Sequence, residues 1–152
     1  MLLNNLNPGV AENPAGLTRL ESTLAFLSKD SATRPVASLP DIARAISGKT
    51  YMCDANEVSV NSLRFDFNKS DTATLYLTRY GMERIWPVGL DGKFRLSAEG
   101  QWQRGYWQDE STFIFETFDI GHLSRQVNFD GDNLALIVPE ARLTITCHVQ
   151  NP

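Results

Sequence analysis

Apolar residues follow two different periods along this chain. Leu17, Leu20, Leu24 and Leu27 recur at spacings of three and four, which predicts a helix with one apolar face. Asn13 ahead of Pro14 supplies an N-cap residue and a proline suited to a first turn, so the helix is expected over residues 14–29. Residues 31–40, rich in Ser, Ala and Pro, read as a linker, and residues 41–46 add one helical turn that stops near Gly48. A helix of this length is marginal alone in water, so its leucine face needs a surface to cover it. Leu17, Leu20, Leu24 and Leu27 are therefore a candidate domain-docking face.

From about Ser47 onward the period changes to two. Leu63, Phe65 and Phe67 alternate with Arg64 and Asp66, and Ala73, Leu75 and Leu77 alternate with Thr72, Thr74, Tyr76 and Thr78. Leu143, Ile145, Cys147 and Val149 alternate in the same way with Thr144, Thr146 and His148. Such alternation predicts strands with one buried and one wet face. Turn formers punctuate the region at short intervals, among them Tyr80-Gly81, Asp91-Gly92, Glu99-Gly100 and Asp130-Gly131. About eight to ten short strands in succession describe an antiparallel up-and-down meander, and closure into a barrel is the simplest way to dispose of its edges. The expected class is all-β, with a barrel over residues 47–152 and a helical extension and linker over residues 1–46.

Charge narrows the partners. The 152 residues carry 14 basic and 18 acidic side chains, a formal net charge of −4 with no basic run, which argues against nucleic acid and anionic membrane. The hydrophobic share of 42% is enough to build a core. No apolar run approaches the roughly 20 residues of a membrane-spanning helix. The opening residues lack the basic and apolar regions of a signal peptide, and they assign no compartment.

Candidate chemistry is sparse. Gly48-Lys49-Thr50 has the ending of a phosphate-binding loop, but Ala43 stands where the first glycine belongs, and the helix precedes the motif instead of following it. Asp130, Asp132 and Asn133 offer oxygen donors, yet Ala141 replaces the glutamate of a calcium loop, and a hairpin turn is expected. His122, His148, Cys53 and Cys147 lack the spacing of a zinc site. The two cysteines fall on the first and last strands, neighbours in a closed barrel. A disulfide is geometrically conceivable there, but two thiols packed as small hydrophobes are the expected state.

Glu116 depends on which face of its strand turns inward. With Thr112, Ile114 and Phe118 inside, Glu116 needs a partner such as Arg104 or Arg125; with Phe113, Phe115 and Thr117 inside, it is solvated. Aromatic residues cluster between Trp102 and Phe118, and about half are expected in the core. Trp102, Tyr106 and Trp107 are candidates to line a pocket or dock a neighbouring domain. Neither Ser-x-x-Lys nor Gly-x-Ser-x-Gly occurs, so the chain reads as non-catalytic, with no cofactor and no metal.

Several stretches together carry a likeness: Ile46-Ser-Gly-Lys-Thr-Tyr51, Asn61-Ser-Leu-Arg-Phe-Asp-Phe67, Pro87-Val-Gly-Leu-Asp-Gly-Lys-Phe94, Asp109-Glu-Ser-Thr-Phe113 and Phe129-Asp-Gly-Asp132. They resemble the C-terminal lipocalin-like β domain of serine hydrolases of the β-lactamase and penicillin-binding-protein group. The likeness covers nearly the whole chain and rests on turn and core patterns. It implies a non-catalytic accessory barrel that packs on a serine hydrolase domain, in cis or in trans, and whose own chain lacks that domain's Ser-x-x-Lys and Tyr-x-Asn motifs. The competing expectation is an independent lipocalin-like carrier of a small apolar ligand. That reading requires Phe65, Phe67, Leu75, Leu77, Phe113 or Ile114, Leu136 and Ile145 to leave the interior unfilled.

Overall fold

The computed structural model describes residues 13–29 and 35–150, with side chains of the first stretch described through residue 25. The chain divides into two compact units, Met1–Ser31 and Ala32–Pro152. The first holds helix α1 (Pro14–Lys29). Asn13 caps it: its side-chain oxygen accepts the Gly16 backbone N–H at 2.9 Å, satisfying one of the donors a first helical turn leaves without a carbonyl.

The second unit opens with a short helix, α2 (Asp41–Ile46), and continues through β1 (Thr50–Cys53), β2 (Val60–Asp66), β3 (Thr72–Arg79), β4 (Met82–Gly89) and β5 (Arg95–Leu96). Then follow β6 (Trp102–Trp107), β7 (Thr112–Phe118), β8 (His122–Asp130), β9 (Asn133–Val138) and β10 (Leu143–Val149). Neighbours pair antiparallel, β1 meets β10, and β4 meets β6 at Gly89 and Arg104. Strand β5 hangs on the edge of β6 outside the ring. Among the described residues nine strands therefore close a barrel, as the alternation predicts.

An odd ring cannot be antiparallel throughout. Every hairpin reverses the chain, so setting β5 aside leaves β4 and β6 running the same way, and one parallel seam is forced. Gly89 sits on that seam. A Cβ there would stand 1.8 Å from the Lys93 carbonyl oxygen, so only glycine lets the following turn fold back on the strand. Pro87, which has no N–H to donate, suits a strand whose second edge is joined only at its end.

The two ends of the barrel are built differently. Where β2 and β8 finish, Phe65, Phe67, Trp107, Phe113 and Phe129 pack ring against ring, with centroids between 5.2 and 6.0 Å apart. Edge and tilted ring pairs of this kind add roughly 0.5–1.5 kcal/mol each beyond the area they bury. Helix α2 belongs to this end: Ala43 and Ile46 are buried in the same cluster. The Gly48 N–H donates to the Phe65 carbonyl and the Phe67 N–H to Ser47 Oγ, each at 2.9 Å. Residues 41–46, placed with the extension on sequence grounds, thus complete the barrel core.

Cys53 and Cys147 stand directly opposite each other on β1 and β10 and form a disulfide, with an S–S distance of 2.08 Å. This corrects the expectation of free thiols. The strand that closes the ring brings together Cα atoms 94 residues apart in sequence to within 3.8 Å.

Candidate functional site: the open end of the barrel

The end where β3 finishes and β4 and β8 begin is not filled. A cavity of about 200 Å³ lies within it, walled mainly by Leu63, Leu75, Leu77, Trp86, Phe115 and Leu136. The rings are concentrated at the α2 end; here the inward positions are mostly aliphatic or small, and they do not meet across the barrel. The interior is therefore divided. Phe65, Phe67, Phe113 and Ile145 are core away from the cavity, Leu75, Leu77 and Leu136 are buried in the same core and line the cavity, and Ile114 lies on the outer side of its strand.

Polar residues reach this space in the same phase as the core. Arg79 stands two positions after Leu77, Arg84 two before Trp86, and Arg125 two before Val127. The pleat that buries the apolar residues therefore turns all three arginines toward the cavity, which they line. Arg125 meets Glu140 at 2.9 Å and Arg84 meets Glu99 at 3.6 Å. Arg79 donates its Nε to the Val58 carbonyl at 2.7 Å and has no carboxylate partner among the described residues. Burial disfavours charge on Arg125, the Glu140 carboxylate restores part of it, and Arg79 opposes it again, leaving its pKa below the ordinary arginine value.

On the β6–β7 side the wall is chemically unfinished. Thr117 Oγ1 and Gln101 Oε1 border the cavity and are buried without a hydrogen-bond partner. Gln103, the register partner of Thr117, is fully buried with both amide atoms unpaired. Buried polar atoms are almost always satisfied, so Thr117 and Gln101 leave the cavity hydrogen-bonding capacity that the protein itself does not use.

The residues singled out from the sequence fall elsewhere. Tyr106 and Trp107 border a second cleft of about 340 Å³ between residues 35–39 and β6, and Trp102 does not. Trp107 turns its ring into the aromatic cluster. On α1, Leu17, Leu20 and Leu24 are exposed; the Leu27 side chain lies outside the described residues.

Glu116 departs from both expectations. Phe113, Phe115 and Thr117 face inward, which should leave Glu116 solvated, yet its side chain is only 15% exposed. It is paired with Arg104, and its other oxygen lies 3.2 Å from His122 Nε2. Arg104 and His122 lie against its two oxygens, and residues 35–39 line the same outer cleft. Arg125, the other partner expected for it, is taken by Glu140.

Among the described residues no group of three or more His, Cys, Asp or Glu side chains could hold a metal ion, and no helix is long and apolar enough to cross a membrane. Comparison of the chain with protein-family models, with curated proteins and with solved structures finds no match.

Proposed function

We propose that this chain is a non-catalytic binding domain that holds a small, largely apolar molecule in the open end of its barrel. The observation that carries the reading is the divided interior: a cluster of aromatic rings fills one end, while leucines with Trp86 and Phe115 wall an unfilled space at the other. The cavity of about 200 Å³ equals about seven water volumes, the size of a short alkyl chain. Burying six methylenes would gain roughly 5 kcal/mol before the cost of association, so a purely apolar ligand binds only in the millimolar range. Titration of hexan-1-ol by calorimetry tests the reading. Saturable binding is expected, and Leu77→Trp, which fills the space, should abolish it without lowering the melting temperature. A folded wild type that takes up no hexanol, or a variant that binds equally well, removes the proposal.

A second reading is an accessory domain docked on a serine hydrolase of the β-lactamase type, in cis or in trans. What favours it is the row of exposed Leu17, Leu20 and Leu24 on one helix, an apolar stripe of the kind that marks a contact surface. Size-exclusion chromatography of the chain with such a hydrolase domain tests this. No association, even with the two covalently linked, would count against it.

A further inference from the structure

The ligand's polar end can be read from the same cavity. Resting on the binding reading above, we infer that the barrel selects a carboxylate: a short-chain carboxylic acid whose alkyl tail lies among Leu63, Leu75, Leu77 and Leu136 and whose headgroup meets Arg79, Arg84 and Arg125 at the mouth.

Three observations converge on an anion. The cavity lining holds three guanidinium groups against one carboxylate, Asp119; Glu99 and Glu140, which pair with Arg84 and Arg125, lie outside it. Arg79 alone of the three has no carboxylate partner among the described residues, and its guanidinium lies over the Tyr80 ring at 5.0 Å. A guanidinium carries five N–H donors in a planar fork, and Arg79 spends its Nε on the Val58 carbonyl with no carboxylate on the rest. A planar two-oxygen headgroup matches that fork, which a hydroxyl or an ammonium cannot. Third, Arg79 stands near enough to Arg125 to oppose its charge, an effect smaller than the support that Glu140 gives it. An anion between them relieves that repulsion, whereas a cation adds to it.

The polar wall on the β6–β7 side extends the argument. Thr117 Oγ1 can donate and Gln101 Oε1 can only accept, so the two unpaired atoms complement a substituent that does both. A hydroxyl on the chain is that substituent. A hydroxy acid is accordingly expected to bind more tightly than its unsubstituted parent.

The test is a calorimetric comparison of hexanoate, hexan-1-ol and hexylamine on the intact, oxidised chain at low ionic strength, repeated with 0.5 M salt (roughly a 4 Å screening length). Hexanoate should bind at least roughly ten-fold more tightly than hexanol, the effect of one charge-assisted hydrogen bond. Its advantage should shrink with salt, and hexylamine should bind least. In Arg79→Gln the ratio of hexanoate to hexanol affinity should fall towards one; Arg84→Gln serves the same purpose should the first variant fail to fold. Equal binding of hexanoate and hexanol, or tighter binding of hexylamine, overturns the carboxylate while leaving the binding cavity standing. Failure of all three to bind removes the cavity reading and the carboxylate with it.

Discussion

Gly105 and Phe113 approach each other so closely across the β6–β7 pair that a Cβ on Gly105 would stand 2.5 Å from Phe113 Cζ. Gly105 faces inward in phase with Gln103 and Trp107, so the missing side chain is the space the Phe113 ring occupies. The aromatic end of the barrel is packed around that absence. Gly105→Ala should therefore lower stability by about 1–3 kcal/mol through overpacking. Urea unfolding measures it, and a second change, Phe113→Leu, should return part of the loss in the Gly105→Ala background. Additive losses from the two changes would show that the contact is not what matters.

The Cys53–Cys147 bond ties the first strand to the last across 94 residues. Chain-entropy reasoning for a loop this long gives about 4–5 kcal/mol, and native disulfides in small domains measure about 2–5 kcal/mol. Reduction, or Cys53→Ser with Cys147→Ser, should move the urea midpoint down by a matching amount. An unchanged midpoint under reducing conditions would mean that the ladder between β1 and β10 holds the closure by itself.

Arg104 and Glu116 form a register pair on β6 and β7, with side chains 11% and 15% exposed. Removing Glu116 takes the carboxylate from a largely buried Arg104. Glu116→Ala should destabilise by about 3 kcal/mol, at the low end for a buried pair, while Arg104→Met with Glu116→Leu should recover much of it. A double-mutant cycle from thermal melts gives the coupling; a value near zero would show the pair to be solvated in practice.

Tyr51 is nearly fully buried in the ring of strands, and its hydroxyl donates to the Gly131 carbonyl at 3.3 Å. Burial, with the Asp132 charge adding to it, pushes the phenol up to about 12 from 10.0. Since the folded value is the higher one, this stabilisation is fully present below pH 10 and is lost between about pH 10 and 12, as the unfolded chain ionises first. Tyr51→Phe has no proton to lose there. The gap in stability between wild type and Tyr51→Phe should shift in the variant's favour on raising the pH through that window. A constant gap from pH 8 to 12 would contradict the assignment.

Much of the barrel can be read from local pattern because the pleat repeats every two residues. On β2, β3 and β10 one apolar face alternates with a polar one, and each residue's side follows from its neighbours. The same rule extends to the arginines. Arg79, Arg84 and Arg125 continue the inward phase of Leu77, Trp86 and Val127, a charged residue in step with a core face at a strand end, and that signal was available in the sequence. On β7 the rule fails. Thr112, Phe113, Ile114 and Phe115 are all buried, so the apolar residues do not distinguish inside from outside, and the setting of Glu116 could not be decided.

The chain's alternation, turns and helix periodicity thus determined by themselves that it forms an N-terminal helix followed by a meander of short strands. Tertiary structure alone decided that nine strands close with β4 beside β6, that Cys53 meets Cys147, that residues 35–39 share an outer cleft with Glu116, and that the rings crowd one end of the barrel and leave the other open. The physical reason is range. Periodicity and turn chemistry act between residues a few positions apart, whereas closure, shared clefts and empty volume depend on residues distant in sequence arriving at the same place.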